Sequence, residues 1–537
     1  MQSVSIVDGI IIGIYIVGIL AAGLWVVRKK EMNADAYFLA SHSLKWPVIG
    51  AALFASNIST IHIVGLTASG FNDGLVWGNF EWMAVFVLIL LGLIFAPFYY
   101  KNKISTLPEF LERRYNATSR TVLAFFALVG VLFMHIGVSL YAGAVVFEHF
   151  FGVNVYLSIL VISVITTIYT AIGGLQSVVI TETIQAIILI GGSIVLTVFG
   201  FRALPEQGIE SWEALKAAAK PEQLSIIPSD SNTSGLSFLS IVLGYPVLGI
   251  WYWCADQTIV QRVLGAKSLR DAKIGPLFAA GIKILPVFIL VLPGVLGYVL
   301  FKDIITDAND TFPVLITQLL PTGLKGLMAA ALLAALMSSI AAALNSAGTL
   351  VSIDIVKRNR PQISDRQQVR IGRITAVVVM VIAMSWSPVV AKFNSIFEAV
   401  VVLLSVISPP ISAVFVWGVF WKRGNHQGAN VTLMSGFLLG LIVFLADFPI
   451  VGDVKVITEG WGLSFMMQAW WLFVCSSVIF VVASLLSPPP DYQKIDSCTL
   501  SSPLAFLKND PGEKTNVPLI LSGLLILVML LLYFLFS

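Results

Sequence analysis

The chain has 537 residues, of which 58% are hydrophobic and only 11% are charged. Soluble domains carry about 25% charged residues, and disordered chains are poor in hydrophobic ones, so both classes are excluded. The net charge of +3, with 32 basic and 29 acidic residues, gives no reason to expect a nucleic acid partner. This composition predicts a polytopic membrane protein that is embedded in a lipid bilayer.

Apolar segments of membrane-spanning length follow one another along the chain, and each exceeds or approaches the roughly 20 residues that a spanning helix needs. We number them spans 1 to 14 in chain order: 5–27, 46–70, 75–99, 120–149, 154–172, 176–203, 237–261, 274–301, 323–356, 371–389, 393–421, 428–449, 464–487 and 517–536. None alternates with a period of two residues, as a β-barrel strand would. The predicted fold class is an all-α integral membrane protein with about 14 transmembrane helices.

Basic residues cluster in the loops after spans 1, 3, 7, 9, 11 and 13, whereas the loops at 204–236 and 302–322 carry more acids than bases. The positive-inside rule places the basic loops in the cytoplasm and both termini outside. The segment before span 1 lacks a basic region, so we expect a retained helix and not a cleaved signal. The expected location is the plasma (cell inner) membrane.

Small and polar residues interrupt two spans that are five spans apart. Span 2 contains Ala55-Ser56-Asn57-Ile58-Ser59-Thr60, and span 7 contains Gly244, Pro246 and Gly249. Broken helices at matching positions of two halves are typical of a transport site near the middle of the membrane. The alternative is that these are ordinary packing glycines.

Charges within spans are costly and usually functional, and four of the charged residues within the spans stand out. They are Glu81, Glu182, Asp256 and Lys283. For Glu182 and Asp256, a structural ion pair near the inner interface is the alternative to a direct role in transport.

Span 9 contains the adjacent serines Ser338 and Ser339. Paired hydroxyls are uncharged hard-oxygen ligands that suit an alkali cation, provided that an unwound helix such as span 2 supplies carbonyl groups. The alternative is that small side chains allow close helix packing.

Motifs for other chemistries are missing from the sequence. The three cysteines show no metal or disulfide spacing, and His42, His135, His149 and His426 are scattered. No nucleotide-binding loop or hydrolase motif occurs, so neither an ATP-driven pump nor an enzyme is expected.

Several strings, in the order and spacing in which they stand, resemble the sodium/glucose cotransporter branch of the solute:sodium symporter family over nearly the full length. They are Phe54-Ala55-Ser56-Asn57-Ile58 with His62 and Gly65, Phe80-Glu81-Trp82, Thr106-Leu107-Pro108-Glu109-Phe110-Leu111, Gly173-Gly174-Leu175, Trp251-Tyr252-Trp253-Cys254 with Asp256-Gln257 and Val260-Gln261-Arg262, Leu336-Met337-Ser338-Ser339 with Asn345-Ser346, and Phe420-Trp421-Lys422-Arg423.

The resemblance implies a LeuT-type fold, in which two inverted repeats of five helices form the core and the first helix of each is broken. On this reading 1–537 is one transporter domain. Its parts are an extra N-terminal helix at 5–27, repeats at 46–203 and 237–421, and peripheral helices at 428–536.

The resemblance also implies the site residues. The sodium site would use the carbonyls of Ala55, Ile58 and Ala335 with the hydroxyls of Ser338 and Ser339. The sugar site would use Asn57, His62, Glu81, Tyr252, Trp253 and Lys283. Tyr252 would be the inner gate, and Leu66, Phe80 and Phe397 the outer gate.

Two positions depart from the family pattern. Val401 stands where the sugar-binding branch has a glutamine, so neither glucose nor galactose is assumed. Glu182 stands where relatives with a second sodium site have an aspartate, which makes it a candidate ligand of a second Na⁺.

The function expected from these features is symport of Na⁺ with a sugar or sugar-like polyol by alternating access, with no obligatory protein partner. The alternatives are a Na⁺ symporter for another small solute, such as a carboxylate or a vitamin-like anion, and a non-transporting sensor or channel with the same fold. Pairing of Glu81 with Lys283 would argue against an anion.

Overall fold

The computed structural model describes residues 5–26, 33–228, 236–388, 396–447, 455–502, 505–507 and 516–537, and for 149–151, 396–402 and 505 it describes the backbone alone. Within these ranges the protein is built from helices, and the one β-type pairing is an isolated bridge between Leu44 and Ala266. The predicted all-α class is therefore confirmed.

In the described part of the chain, twelve helices are long and apolar enough to cross a membrane. They are Ile6–Trp25, Gly74–Lys101, Ala117–Glu148, Val155–Gln207, Phe238–Ala255, Leu269–Phe301, Leu324–Lys357, Asp365–Trp386, Leu403–Phe420, His426–Asp447, Phe465–Leu485 and Val517–Leu535. A thirteenth span is formed by the bent pair Trp46–Asn57 and Thr60–Asn72. Shorter helices at Ala34–Leu39, Leu107–Arg114, Trp212–Ala218, Gln257–Leu264, Thr311–Leu319 and Tyr492–Ile495 connect or extend the spans.

The helix Val155–Gln207 accounts for both span 5 and span 6. Its 53 residues would extend about 80 Å, more than twice the ~30 Å thickness of the hydrocarbon core. The chain turns within it at Gly174, whose φ of 58° and ψ of −156° are not helical. A Cβ atom there would lie 2.4 Å from the carbonyl oxygen of Tyr37, so this turn requires glycine. With the two arms counted separately, the described helices correspond to the fourteen predicted spans.

The break in span 2 lies where the sequence predicted it. The helix Trp46–Asn57 ends before Ile58 and Ser59, both of which have extended backbone, and the next helix starts at Thr60. The two helices meet at a bend of 65°. Unwound backbone at this depth is tolerated because it is buried within the protein or lines a cavity.

The break in span 7 is present, but its predicted residues are wrong. The helix Phe238–Gly249 continues through Pro246 into a segment of wider, π-helical turns, Ile250–Ala255, and the chain becomes extended only at Asp256. Gly244 serves close packing instead, because a Cβ atom there would lie 2.4 Å from the carbonyl oxygen of Met466. The signal for the break was Asp256, which caps the helix Gln257–Leu264 by accepting a hydrogen bond from the Thr258 amide at 2.9 Å.

The helices differ strongly in how far other helices cover them. In Leu324–Lys357, which is span 9, 94% of an 18-residue apolar stretch is buried inside the protein. In Val517–Leu535, which is span 14, the buried share of such a stretch is 17%. Span 9 therefore lies at the centre of the bundle, and span 14 at its lipid-facing edge. The repeat boundaries at 46–203 and 237–421 stay predictions.

Candidate functional site

A cavity of about 160 Å³ lies between the two broken spans. A single water needs about 10–15 Å³ on this measure, so the cavity has room for a small solute or on the order of ten waters. All six residues that the sequence proposed for the solute line it: Asn57, His62, Glu81, Tyr252, Trp253 and Lys283. The proposed outer-gate residues Leu66 and Phe80 also line this central cavity. The side chains of Phe397 and Val401 lie outside the described residues.

An ion pair forms the polar side of the cavity. Lys283, at the end of the helix Leu269–Ile282, contacts the carboxylate of Glu81 in the first turn of Asn79–Leu90. Its ammonium group also donates to the side-chain oxygen of Asn57. Lys283 is 1% exposed and Glu81 is 2% exposed, and charges at that depth persist only when they are paired. Among the described residues that line the cavity, the pair leaves no lysine or arginine without a counter-ion.

Asn57 and Tyr252 join the two broken spans across the cavity. The amide nitrogen of Asn57 donates to the hydroxyl of Tyr252 at 3.1 Å, so residues from spans 2 and 7 meet directly. The Tyr252 ring lies on the wider-turn segment Ile250–Ala255, 5.1 Å from the ring of Trp253. Tyr252 can thus form an aromatic floor for the solute and a gate at the same time.

His62 stabilises the start of the second half of span 2. Its Nδ1 accepts a hydrogen bond from the Ser59 amide at 3.3 Å and lies 3.0 Å from the Ser59 hydroxyl. Because a backbone amide can only donate, Nδ1 is unprotonated and the ring proton is on Nε2. His62 can therefore offer Nε2 as a hydrogen-bond donor to a hydroxyl group in the cavity.

Phe80 belongs to an aromatic cluster beside the cavity. Its ring stacks on Trp77 at 5.6 Å and on Phe465 at 6.3 Å, and it meets Tyr245 edge-on at 5.9 Å. The sequence analysis missed Phe465, because it belongs to the C-terminal helix Phe465–Leu485, which was predicted to be peripheral.

The proposed sodium site lies where span 9 crosses the break in span 2. The Ser338 hydroxyl donates to the carbonyl oxygens of Ala55 at 2.7 Å and Ala335 at 3.0 Å. The Ser339 hydroxyl donates to the carbonyl oxygen of Ala335 at 3.1 Å. Ile58, the fifth proposed ligand, is fully buried in the break.

Ser339 also reaches a carbonyl oxygen that the sequence analysis did not include, that of Ser56 at 3.2 Å. This oxygen set is uncharged, buried and close together, and such oxygens suit an alkali cation once the hydroxyl protons turn away. Ser339 lines the central cavity as well, so the candidate ion site adjoins the candidate solute site.

Glu182 and Asp256 each have an ionisable partner in the structure. A structural ion pair is the alternative that the sequence analysis left open for both residues. Both carboxylate oxygens of Glu182 contact the guanidinium of Arg262, and both side chains are fully buried. Asp256 lies 2.8 Å from Nε2 of His135. A second sodium at Glu182 stays a prediction that this pairing does not favour. No sequence signal links His135 with Asp256, because 121 residues separate them.

Curated proteins of known function resemble the chain over most of its length. The sodium/myo-inositol cotransporter 2 of Oryctolagus cuniculus is 34% identical, over 95% of this chain and 81% of that protein. The same transporter of Bos taurus is 36% identical, over 95% and 81%. The sodium/glucose cotransporter 1 of Oryctolagus cuniculus is 33% identical, over 91% and 80%. These relatives are transporters.

Two solved structures share the fold. A substrate-bound, outward-open Na⁺-coupled sialic acid symporter has a TM-score of 0.73 at 21% identity and covers 90% of this chain and 99% of its own. Mhp1, a nucleobase-cation-symport-1 family transporter, has a TM-score of 0.55 at 13% identity and covers 87% and 99%. The architecture is therefore that of LeuT-like transporters, as predicted. Residues 37–440 match the model of the sodium:solute symporter family, and the chain belongs to that family.

Proposed function

We propose that this protein is a symporter that couples Na⁺ entry to the uptake of a sugar or a cyclic polyol by alternating access. The observation that carries the proposal is the central cavity, in which neutral or charge-balanced polar groups face aromatic rings, directly beside an uncharged oxygen site. The names of the curated relatives support the same solute class.

The polar groups of the cavity suit a neutral solute with many hydroxyls. Glu81 accepts hydrogen bonds, Asn57 both donates and accepts, and His62 can donate through Nε2. The rings of Tyr252 and Trp253 offer apolar surface to the C–H face of a sugar or cyclitol ring. Because Glu81 neutralises Lys283, a carboxylate solute would find no free cation, which disfavours the anion alternative.

The contacts between spans 2 and 9 suggest how the ion and the solute are coupled. Ser338 and Ser339 bind the carbonyls of Ala55 and Ser56, and Asn57 follows them directly in the chain. A sodium ion at this place would fix the end of the helix Trp46–Asn57 and with it the orientation of Asn57. Ion binding then favours the state that binds solute, which is the requirement for coupling. A sensor or a channel has no need of this linkage.

The remaining sequence-based expectations complete the proposal. The two broken spans would open in turn, with the Phe80 cluster as the outer gate and Tyr252 as the inner gate. The protein would lie in the plasma (cell inner) membrane with its basic loops in the cytoplasm and both termini outside. We propose one sodium per solute, because the second candidate ligand, Glu182, is engaged by Arg262.

The decisive experiment is uptake by proteoliposomes that contain the purified protein. Labelled myo-inositol, glucose and a small carboxylate are supplied with an inward Na⁺ gradient, or with an equal K⁺ gradient as the control. We expect accumulation of a neutral polyhydroxylated solute with Na⁺ alone. Accumulation of the carboxylate in preference to myo-inositol and glucose, or equal uptake in both gradients, would contradict the proposal. Reversal-potential measurements on the same vesicles give the number of charges per solute.

A further inference from the structure

His135 forms a buried contact that the proposed ion and solute sites do not use. Its Nε2 lies 2.8 Å from an oxygen of Asp256, with the two side chains 16% and 6% exposed. It stands on a segment of wider, π-helical turns, Val131–Val138, in the middle of span 4. Such segments are frequent at functional sites.

The partner of His135 is the residue at which span 7 breaks. Asp256 has extended backbone, and its other oxygen accepts the amide of Thr258 at the start of the helix Gln257–Leu264. His135 is therefore tied to the turn of the chain itself. A movement of this turn relative to span 4 must break the contact.

The same segment of span 7 carries the proposed inner gate. Tyr252 precedes Asp256 by four residues, and its ring centroid lies 6.3 Å from that of His135. Contacts from several spans hold the segment, among them Asn57 at the Tyr252 hydroxyl, Tyr99 at the carbonyl of Cys254, and His135 at Asp256. These three come from spans 2, 3 and 4, and the His135 contact joins the segment to span 4.

His135 also separates two spaces. It lines the central cavity and, together with Asp256, a second void of about 10 Å³, which has room for about one water. The other lining residues of that void are mostly apolar, among them Leu123, Phe126 and Ile411. From Asp256 the chain runs towards the basic loop after span 7, which the positive-inside rule places in the cytoplasm. His135 and Asp256 thus lie between the central cavity and the part of span 7 that leads to this loop.

We propose that His135 is a positioning residue of the inner gate, whose bond to Asp256 keeps the central cavity closed towards the cytoplasm. When the pair separates, the cavity and the void join, and the solute leaves between spans 4, 7 and 11. In the normal cycle, bound ion and solute cause the pair to separate. A substitution that removes the bond when neither is bound should therefore leave the inner gate open too often. The inference rests on the proposed transport activity.

The test uses proteoliposomes with the wild type and four single variants. His135→Phe keeps a ring beside Tyr252 but removes the donor, and His135→Gln keeps a donor with similar reach. Asp256→Ser keeps a good cap for the following helix but is too short to reach His135. Phe125→Leu is the matched control, since Phe125 lies on span 4 with an exposed side chain and lines neither the cavity nor the void. Sodium-dependent thermal stabilisation reports folding of each variant.

Two quantities are measured: entry of ²²Na⁺ without solute, and the accumulation ratio of labelled myo-inositol in a fixed Na⁺ gradient. We expect His135→Phe and Asp256→Ser each to raise solute-free Na⁺ entry about tenfold or more, the size expected for loss of a hydrogen bond to a charged group, and to lower the accumulation ratio. His135→Gln and Phe125→Leu should stay close to the wild type. The double variant His135→Phe/Asp256→Ser should admit no more Na⁺ than either single variant, because both substitutions remove the same contact.

The inference is overturned if folded His135→Phe leaks no more Na⁺ than the wild type, if His135→Gln leaks as much as His135→Phe, or if Phe125→Leu leaks as much as His135→Phe. Should His135→Phe fail to fold, Asp256→Ser decides by the same criterion. The proposed function is tested separately by solute uptake of the wild type. Absence of Na⁺-driven uptake would contradict the function, whereas the comparison of Na⁺ entry among the variants would still test the gate.

Discussion

The two broken spans, 2 and 7, stand five spans apart in the chain and differ in their interiors. In span 2 the chain is extended at Ile58 and Ser59, and the carbonyls just before the break meet the hydroxyls of span 9. In span 7 an aspartate caps the second helix, and an aromatic segment precedes it. Similar backbone breaks therefore suit different proposed tasks, with backbone carbonyls for the proposed ion site in span 2 and aromatic side chains for the proposed gate in span 7.

The largest effect is expected where a buried charge loses its partner. Glu81→Gln leaves the ammonium of Lys283 without its counter-ion, and breaking such a pair costs about 3–5 kcal/mol. We expect a marked drop in the melting temperature of the purified protein and loss of solute uptake.

The control for this prediction is the double variant Glu81→Gln/Lys283→Gln. It should regain most of the melting temperature but not solute uptake, since the polar contacts for the solute stay altered. Full uptake by the double variant would show that the pair is structural and has no contact with the solute.

The next effect concerns the carbonyls of span 2. Ser339→Ala removes the hydroxyl that reaches Ser56 and Ala335, and we expect the Na⁺ concentration for half-maximal uptake to rise about tenfold. The solute concentration for half-maximal uptake should change little at saturating Na⁺. Ser346→Ala is the matched control, because Ser346 lies two turns further along span 9, and its buried hydroxyl has no hydrogen-bond partner in the structure. Equal Na⁺ dependence in both variants would place the ion elsewhere.

A smaller effect is expected at the proposed outer gate. Phe465→Ala removes one of the rings that stack on Phe80, and aromatic pairs contribute about 0.5–1.5 kcal/mol. The half-saturating solute concentration should rise about two- to tenfold, which concentration-dependent uptake measures. Trp471→Ala, on the same helix but with its side chain exposed, should leave this value unchanged. If both variants behave alike, the helix Phe465–Leu485 has no part in the outer gate.

The smallest effect is expected at Pro246, and it sharpens the comparison of the breaks. Because the helix Phe238–Gly249 runs through Pro246, Pro246→Ala should leave Na⁺-driven uptake within about twofold of the wild type. The melting temperature should stay equal or rise, since alanine favours the helix interior. Loss of uptake in a folded variant would mean that the proline is needed for a bend during transport.

Local patterns were enough to predict much of this fold. Apolar runs of spanning length and the positions of basic loops depend on the chain segment and the bilayer alone, so hydropathy predicted the spans. The polar segment from Ala55 to Thr60 likewise marked the break in span 2, because such a segment cannot continue an apolar helix at low cost in free energy. The residues of the proposed solute and sodium sites came from the resemblance to a family, and their roles stay proposals.

Tertiary packing decided which charges meet and where span 7 breaks. Glu182 has Arg262 as its partner 80 residues away, and Asp256 has His135. Gly244 and Pro246 looked like a break, yet the helix continues through both. The physical reason is that a buried polar group is satisfied by whichever partner the neighbouring helices bring within about 3 Å. Helix periodicity carries no information about that neighbour, so only the packed structure shows that His135 and Asp256 meet beside Tyr252.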